Sequence, residues 1–383
     1  MKKNHLLKKL WCICITVCLM LTATAQTEKV ESRIDSVMKQ YHMIGLSVAV
    51  VKKGKIVYTH AFGLKNIETN TPLTTDDIFR IASISKSFSA TAIMQLVQLK
   101  KLSLNDDVSN LIGFRVRNPH FPDKIITLKM LMSHTSSVND NEGYFTLDSI
   151  NPDKNINWKN CYNDYAPGNG YQYCNLNFNM IGTIIERVSG QRFDKYIKAH
   201  VLDPLGLYGG YEVAALDSTK FATLYEYDTI SKQFIAQPQA YNPRTNEINN
   251  YIMGYSTPVF SPTGGMKISA TDLAKYMTMH MYFGKYNGTR IISKRSAKKM
   301  QTKVTGDDDG YGLAIETVHD FLPGKTMKGH TGSAYGLYSI MFFQPKEKFG
   351  IVAITNGCNI TDDTGYNAPL KAVGNILYEE IIK

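Results

Sequence analysis

Two pairs of apolar, β-branched or aromatic segments lie near opposite ends of the chain. Ile44 to Val51 and Lys55 to Phe62 are separated by Lys53-Gly54, a dipeptide that suits a tight turn. Tyr338 to Phe343 and Phe349 to Ile354 are separated by a short polar segment. Two apolar runs joined by a short turn are typical of a β-hairpin. The pattern therefore predicts one hairpin near each end of the chain.

Between these hairpins, apolar residues recur at helical spacing. One face is marked by Phe88, Ala92, Leu96 and Leu99, and another by Met180, Ile184 and Val188. Gly190 follows the second pattern, where a helix commonly ends on a left-handed residue. Ser269 and Asp272 precede a further apolar pattern in a way that predicts a capped helix start. The middle of the chain is therefore expected to be mainly helical.

The fold class follows from this arrangement. Tyr366 to Ile382 is expected to form a closing helix on the sheet. We predict an α/β fold, a sheet flanked by helices, with an inserted all-α subdomain. The α/β part would comprise residues 26–82 and 305–383, and the helical insertion residues 83–304. Together they form one catalytic domain, residues 26–383.

The first 25 residues have the three-part layout of a secretory signal peptide. Basic residues precede an apolar run from Leu10 to Leu21, and Ala23-Thr24-Ala25 suits cleavage before Gln26. The apolar run is shorter than the ~20 residues that a transmembrane helix needs. We expect an exported protein, periplasmic or secreted, with no stable membrane insertion after cleavage. A retained signal remains an alternative.

The net charge of the chain bears on the class of partner that it could bind. Cleavage would remove four lysines and no acid, which lowers the formal net charge from +10 to +6. No RNA-binding or zinc-finger signature accompanies the basic residues, so we expect no nucleic-acid partner.

Cys161, Cys174 and Cys358 would remain in the exported chain, and this odd number excludes a full disulfide framework. A bond between Cys161 and Cys174 stays open.

A candidate nucleophile stands at the start of the first long helical pattern. The segment Ser83-Ile84-Ser85-Lys86 places a serine and a lysine on one helix face. They lie at the helix N-terminus, whose free N–H groups stabilise a developing negative charge. Burial would disfavour the charged form of Lys86, which could then accept the serine proton. Ser36 to Lys39 and Ser296 to Lys299 match the same spacing without an equally apolar helix. An ordinary helix turn at Ser83 remains the alternative.

Two further motifs carry polar groups suited to acyl transfer. Tyr173-Cys174-Asn175 is the only Tyr-x-Asn in the sequence and precedes the Met180 helix. Its phenol can transfer a proton, and its amide can hold a substrate carbonyl. Tyr173 is also one of 23 tyrosines that could simply pack. The second motif is Gly329 to Ser333, which lies before the Tyr338 strand. Its small residues would let a substrate backbone approach closely. The alternative is that this segment is only a glycine-rich turn.

These motifs, in this order, resemble the serine β-lactamase and penicillin-binding-protein superfamily, whose signatures include Ser-x-x-Lys and Lys-Thr-Gly. The similar branch comprises class C β-lactamases, D,D-peptidases and related esterases, and the likeness covers nearly the whole mature chain. It implies a β-lactamase/transpeptidase-like fold. The segments that carry it are Phe79 to Lys86, Leu131 to Ser136, Pro167 to Asn175, Gly264-Gly265 with Ser269 to Leu273, and Gly329 to Gly332.

The resemblance also implies residue roles. Ser83 would be the acylated nucleophile, Lys86 its partner in proton transfer, and Tyr173 the general base and later the acid. Asn175 would hold the substrate amide. The backbone N–H groups of Ser83 and Ser333 would form the oxyanion hole. The remaining substrate-binding residues would be His330, Thr331, Gly332 and Ser333. No metal and no organic cofactor is implied.

The sequence departs from the resembled pattern at His330, where lactamases of this branch carry lysine. An unperturbed histidine titrates near pH ~6.5, so it offers a β-lactam carboxylate no permanent cation. Cys174 also replaces a smaller residue. We expect a D,D-peptidase-like enzyme that acts on D-amino-acid peptides, such as peptidoglycan fragments, or on related amides and esters. The alternatives are a class C type β-lactamase, a carboxylesterase, and a non-catalytic penicillin- or wall-sensing module.

Overall fold

An eight-stranded antiparallel sheet forms the centre of the computed structural model, which describes residues 26–360 and 368–383. Its strand order is β11-β12-β13-β14-β15-β1-β2-β3. The predicted signal peptide, residues 1–25, lies outside the described residues. The strands are β1 (Gly45–Lys52), β2 (Lys55–Asn66), β3 (Thr71–Pro72), β11 (Gly310–Tyr311), β12 (Glu316–Leu322), β13 (Lys325–Ala334), β14 (Leu337–Gln344) and β15 (Phe349–Thr355).

Both predicted hairpins are confirmed. β1 pairs with β2, and β14 pairs with β15, each antiparallel. β1 and β15 also pair with each other, with Val48 opposite Ala353, so the two ends of the chain join in one sheet. Strands from both ends of the sequence therefore form the centre of the sheet.

Helices cover both faces of the central strands. Val48 packs in one apolar cluster with residues of the N-terminal helix and of the C-terminal helix α11 (Ala368–Leu377). Ala49 packs in a second cluster, which includes residues of α9 (Ala270–Met281). Because neighbouring residues of β1 point to opposite faces and both faces are buried, the strand is apolar throughout Val48 to Val51.

The segment between the two halves of the sheet is mainly helical. A separate helix, α1 at residues 26–40, precedes the sheet. The helices of the middle segment are α2 (Ser85–Gln98), α3 (Val108–Ile112), α4 (Leu128–Met132), α5 (Asn175–Ser189), α6 (Phe193–Ile197), α7 (Asp203–Leu205), α8 (Thr245–Asn249), α9 and α10 (Lys294–Gln301). The predicted caps are confirmed, since Gly190 has φ 71° and Ser269 accepts a hydrogen bond from the Asp272 N–H.

The expectation of purely helical structure for this segment was wrong in detail. It contains three small sheets, whose strands have two to four residues, too short for a period-two pattern to reveal. The strands are β4 (Phe79–Arg80), β5 (Gly209–Gly210), β6 (Tyr225–Asp228), β7 (Gln233–Ala236), β8 (Lys267–Ile268), β9 (Lys285–Tyr286) and β10 (Thr289–Arg290).

The C-terminal helix agrees with the sequence pattern over the part that is described. α11 continues into a π-helical turn at Tyr378–Ile382, whereas Tyr366, where the predicted helix begins, lies outside the described residues. Cys161 and Cys174 are buried and form no disulfide bond with each other, and Cys358 is buried as well. Within residues 26–360 and 368–383, every helix is too short or too polar to cross a membrane.

Candidate active site

Ser83 lies in a tight 3-10 turn, Ala82–Ile84, directly before α2. Ala82 has φ 49°, a left-handed conformation that is uncommon for alanine. Ser83 is partly exposed and lines a cavity of about 660 Å³. The serines of the two rival motifs, Ser36 on α1 and Ser296 on α10, do not line this cavity. The structure therefore singles out Ser83 among the three matches.

Lys86 is buried directly behind Ser83. Its Nζ lies 3.0 Å from Ser83 Oγ, 2.9 Å from Asn175 Oδ1 and 3.1 Å from the carbonyl oxygen of Thr263. The same nitrogen is 4.7 Å from the centre of the Tyr173 ring. Burial lowers the pKa of Lys86 to about 7, although the negative charge of nearby acids opposes this shift. A large share of the amine is therefore neutral near pH 7 and able to accept a proton.

Tyr173 belongs to the same cluster and lines the cavity. Burial raises the pKa of its phenol well above the usual range, and the contact with the Ser83 side chain opposes this shift. The phenol is therefore protonated at neutral pH. Behind it, the His134 ring lies 4.4 Å from the Tyr173 ring, between centroids. His134 Nδ1 accepts a hydrogen bond from the Cys174 N–H, which gives this histidine a structural role.

Asn175 is held by an acid that the motifs did not reveal. Asp140 Oδ2 accepts hydrogen bonds from both the backbone N–H and the side-chain amide of Asn175, and Oδ1 accepts one from the N–H of Leu176. Asp140 thus satisfies the free N–H groups at the start of α5. Asn175 Oδ1 in turn accepts hydrogen bonds from Lys86 and from the Thr263 hydroxyl. The amide is therefore oriented from both sides.

The Gly329 to Ser333 motif lies within strand β13, and is not a turn. At Gly332, a Cβ atom would overlap the carbonyl oxygen of Ile81, so only glycine lets the strand approach the serine turn this closely. The Ser339 hydroxyl, on β14, donates to the same carbonyl. The predicted oxyanion donors, the N–H groups of Ser83 and Ser333, therefore belong to two elements in direct contact. Thr331, Gly332 and Ser333 all line the cavity.

His330 lines the cavity but is almost completely buried, with 1% exposed. Its Nδ1 lies 2.6 Å from the carbonyl oxygen of Thr331, so the proton of the neutral ring belongs on Nδ1. Nε2 then accepts a hydrogen bond of 2.8 Å from the Tyr311 hydroxyl. Burial lowers the pKa of His330 to about 3, and the charge of Lys86 adds to this shift. The imidazole is therefore neutral, with both nitrogens engaged.

All the predicted site residues except Lys86 line one cavity, Lys86 lies buried behind Ser83, and the structure adds residues that sequence reasoning missed. The added residues are Arg80, Asp140, Thr263, Tyr311 and Glu316. None lies within a recognised motif except Arg80, which stands beside the serine. In the described part of the chain, no group of three or more histidine, cysteine, aspartate or glutamate side chains could hold a metal ion.

Comparison with known proteins agrees with this geometry. Residues 30–375 match the family described as Beta-lactamase. Penicillin-binding protein 4 of Amycolatopsis lactamdurans is 27% identical over 346 residues, covering 85% of this chain and 84% of that protein.

Solved structures give the same result. The octameric penicillin-binding protein homologue from Pyrococcus abyssi has a TM-score of 0.73 and 27% identity, covering 93% of this chain and 77% of that one. The D-amino acid amidase from Ochrobactrum anthropi SV3 has a TM-score of 0.73 and 19% identity, covering 94% and 99%, and this similarity concerns the fold. With a family match over almost the whole described chain, the protein belongs to the Beta-lactamase family of serine hydrolases.

Proposed function

We propose that this protein is an exported serine hydrolase that forms an acyl-enzyme on Ser83 and acts on D-amino-acid peptides or related amides and esters. The observation that carries the proposal is the 3.0 Å separation between Ser83 Oγ and the Nζ of buried Lys86. An amine with a pKa of about 7 is suited to accept the proton of an attacking hydroxyl at neutral pH.

In the acylation step, Ser83 Oγ attacks the substrate carbonyl carbon while its proton passes to Lys86. Negative charge develops on the carbonyl oxygen, which would face the backbone N–H groups of Ser83 and Ser333. Removal of one such donor costs ~10²–10³ in rate in other hydrolases. The close packing of Gly332 on the serine turn supports this arrangement of donors.

Collapse of the tetrahedral intermediate needs a proton on the leaving nitrogen or oxygen. The Tyr173 phenol is protonated at neutral pH and borders the cavity, so it can donate that proton. In this scheme Lys86, and not Tyr173 as the family resemblance implies, acts as the general base. Lys86, whose Nζ lies 4.7 Å from the Tyr173 ring centre, then returns the serine proton to the phenolate. Water hydrolyses the ester of Ser83 by the reverse sequence of proton transfers.

The state of His330 favours amides and esters over β-lactams as substrates. A neutral imidazole with both nitrogens engaged supplies no cation for a β-lactam carboxylate. The D-amino-acid part of the proposal draws on the similarity to a D-amino acid amidase and to penicillin-binding proteins.

The test is intact-mass spectrometry of the protein mixed with a penicillin, combined with hydrolysis assays of a D-alanine ester and a D-alanine amide. Wild type is expected to turn over at least one of these substrates, and Ser83→Ala none. Ser36→Ala, which alters an exposed serine of a rival motif, is the matched control and should behave as wild type. Turnover that does not depend on Ser83 would contradict the proposal. The absence of both a penicillin adduct and turnover would also contradict it, and would favour a non-catalytic sensing module.

Export is proposed from residues 1–25 alone. N-terminal sequencing of the protein recovered from the exported fraction should begin at Gln26. Recovery of the uncleaved chain from the cytoplasm would contradict export.

A further inference from the structure

Glu316 places an acid in the wall of the reaction cavity. It is the first residue of β12 and lines the cavity together with Ser83 and Tyr173. Its side chain is 20% exposed. It also lines a second cavity, of about 350 Å³, together with Tyr311. Glu316 therefore borders both the reaction cavity and a neighbouring cleft.

This carboxyl has no cationic partner among the described residues. Its one contact in ion-pair range is between Oε1 and His330 Nε2, at 3.7 Å. That imidazole is neutral, and its Nε2 already accepts a hydrogen bond from the Tyr311 hydroxyl. Lys86 Nζ is held instead by Ser83, Asn175 and Thr263. The site thus presents an acid without a counter-ion.

The other charged groups near this wall have partners of their own. Lys328, on the adjacent strand, donates to the Gln301 carbonyl and to the Thr317 hydroxyl. Lys303 donates to backbone carbonyls of the loop before β11. Asp309 pairs with His319 at 2.9 Å. None of these groups compensates the charge of Glu316.

We propose that Glu316 binds a positively charged amine of the substrate and so determines specificity. The inference rests on the proposed hydrolase function. The resembled lactamases carry a lysine at the position of His330, so the charge offered to a ligand at this end of the cavity is reversed. A carboxylate and an ammonium group a few ångströms apart in a partly desolvated pocket attract each other much more strongly than in water.

The protonation of Glu316 agrees with this role. Burial raises the pKa of Glu316 to about 8, and the positive charge of Lys86 opposes the shift. A carboxyl has a raised pKa when its negative charge is desolvated and insufficiently compensated. A bound cation would supply that compensation and favour the carboxylate.

Two matched substrate pairs locate the amine. D-alanine p-nitroanilide and its N-acetyl derivative differ in charge on the acyl side. The choline and 3,3-dimethylbutyl esters of N-acetyl-D-alanine differ in charge on the leaving-group side. In at least one pair, wild type should prefer the cationic member by about tenfold or more in kcat/KM, and Glu316→Gln should reduce that ratio to within about threefold of unity.

The ratio, rather than the rate, is the readout, because a general loss of activity cancels within each pair. Asp320→Asn removes an exposed acid from the same strand and should leave both ratios unchanged. A wild type without preference in either pair would overturn the proposal, and so would a preference that survives Glu316→Gln.

A binding measurement separates this proposal from the hydrolase function. In the Ser83→Ala protein, calorimetry compares D-alaninamide with N-acetyl-D-alaninamide, and choline with 3,3-dimethylbutanol. The cation should bind more tightly in at least one pair, and Glu316→Gln should abolish the difference. If no substrate is hydrolysed but this difference is observed, only the hydrolase proposal fails. If hydrolysis depends on Ser83 but neither binding nor kcat/KM favours a cation, only the Glu316 proposal fails.

Discussion

Asp140 holds Asn175 through a single carboxylate oxygen, which accepts hydrogen bonds from the backbone N–H at 2.8 Å and from the side-chain amide at 3.0 Å. One residue therefore stabilises the start of α5 and orients the amide that contacts Lys86. Folding stability and catalytic geometry are linked at this point.

Replacement of Asp140 by alanine should affect both properties. Loss of a helix-capping side chain costs about 0.5–2 kcal/mol, so the free energy of unfolding should fall by about that amount in urea denaturation. The rate of ester hydrolysis should fall as well, because Asn175 loses its orientation. Asp148→Ala, which removes a mostly surface acid outside the catalytic cluster, serves as the control. An unchanged rate would show that Asn175 needs no such support.

The rate of acylation should depend on pH through Lys86, whose pKa is lowered to about 7. The neutral amine is the form that accepts the serine proton, so below pH 7 the rate should fall about tenfold per pH unit, and above pH 7 it should level off. Pre-steady-state acylation by a neutral ester, measured from pH 5 to 9, checks this. A profile that rises only above pH 9 would indicate a lysine with an ordinary pKa.

Tyr173→Phe removes the phenolic proton while keeping the ring. We expect hydrolysis to slow by about 10² to 10⁴, the range for a lost acid–base group. The matched control is Tyr171→Phe, because Tyr171 borders the neighbouring cleft and not the reaction cavity. Near-wild-type turnover by Tyr173→Phe would mean that Lys86 or the substrate itself carries the proton to the leaving group.

Gly332→Ala should displace β13 from the serine turn, since the added methyl group overlaps the Ile81 carbonyl oxygen. Overpacking of this kind costs about 1–3 kcal/mol, and misplacement of the oxyanion donors should lower kcat more than it raises KM. Gly210→Ala provides the control, because a Cβ there meets only Leu216 Cδ2 at an ordinary 3.8 Å. Equal effects of the two substitutions would contradict the assigned role of β13.

His330→Lys tests whether charge limits the recognition of β-lactams. A lysine would supply the missing cation, so acylation by a carboxylate-bearing penicillin should become about tenfold faster. His330→Gln removes the ring without adding charge and should give no such increase. Acylation rates, followed by intact mass, decide the outcome, and equal rates in wild type and His330→Lys would refute this account.

Local sequence patterns were sufficient for much of the fold. Both hairpins, the capped starts and ends of the long helices, and the Ser83–Lys86 spacing depend on residues close together in the chain, so periodicity and capping rules detect them. The strands of the small sheets escaped detection. β4, β5 and β8 pair with partners far away in sequence, whereas β6–β7 and β9–β10 are local pairs whose strands have only four and two residues. The proposal of export also comes from a local pattern, at residues 1–25.

The sequence by itself determined the elements, the family resemblance and the candidate residues Ser83, Lys86, Tyr173, Asn175 and His330. Only the tertiary structure decided their chemical states. Burial lowers the pKa of Lys86, Tyr311 engages the imidazole of His330, and Glu316 comes to face the cavity without a counter-ion among the described residues. Desolvation and long-range contacts determine these properties, and both arise only when distant segments pack together.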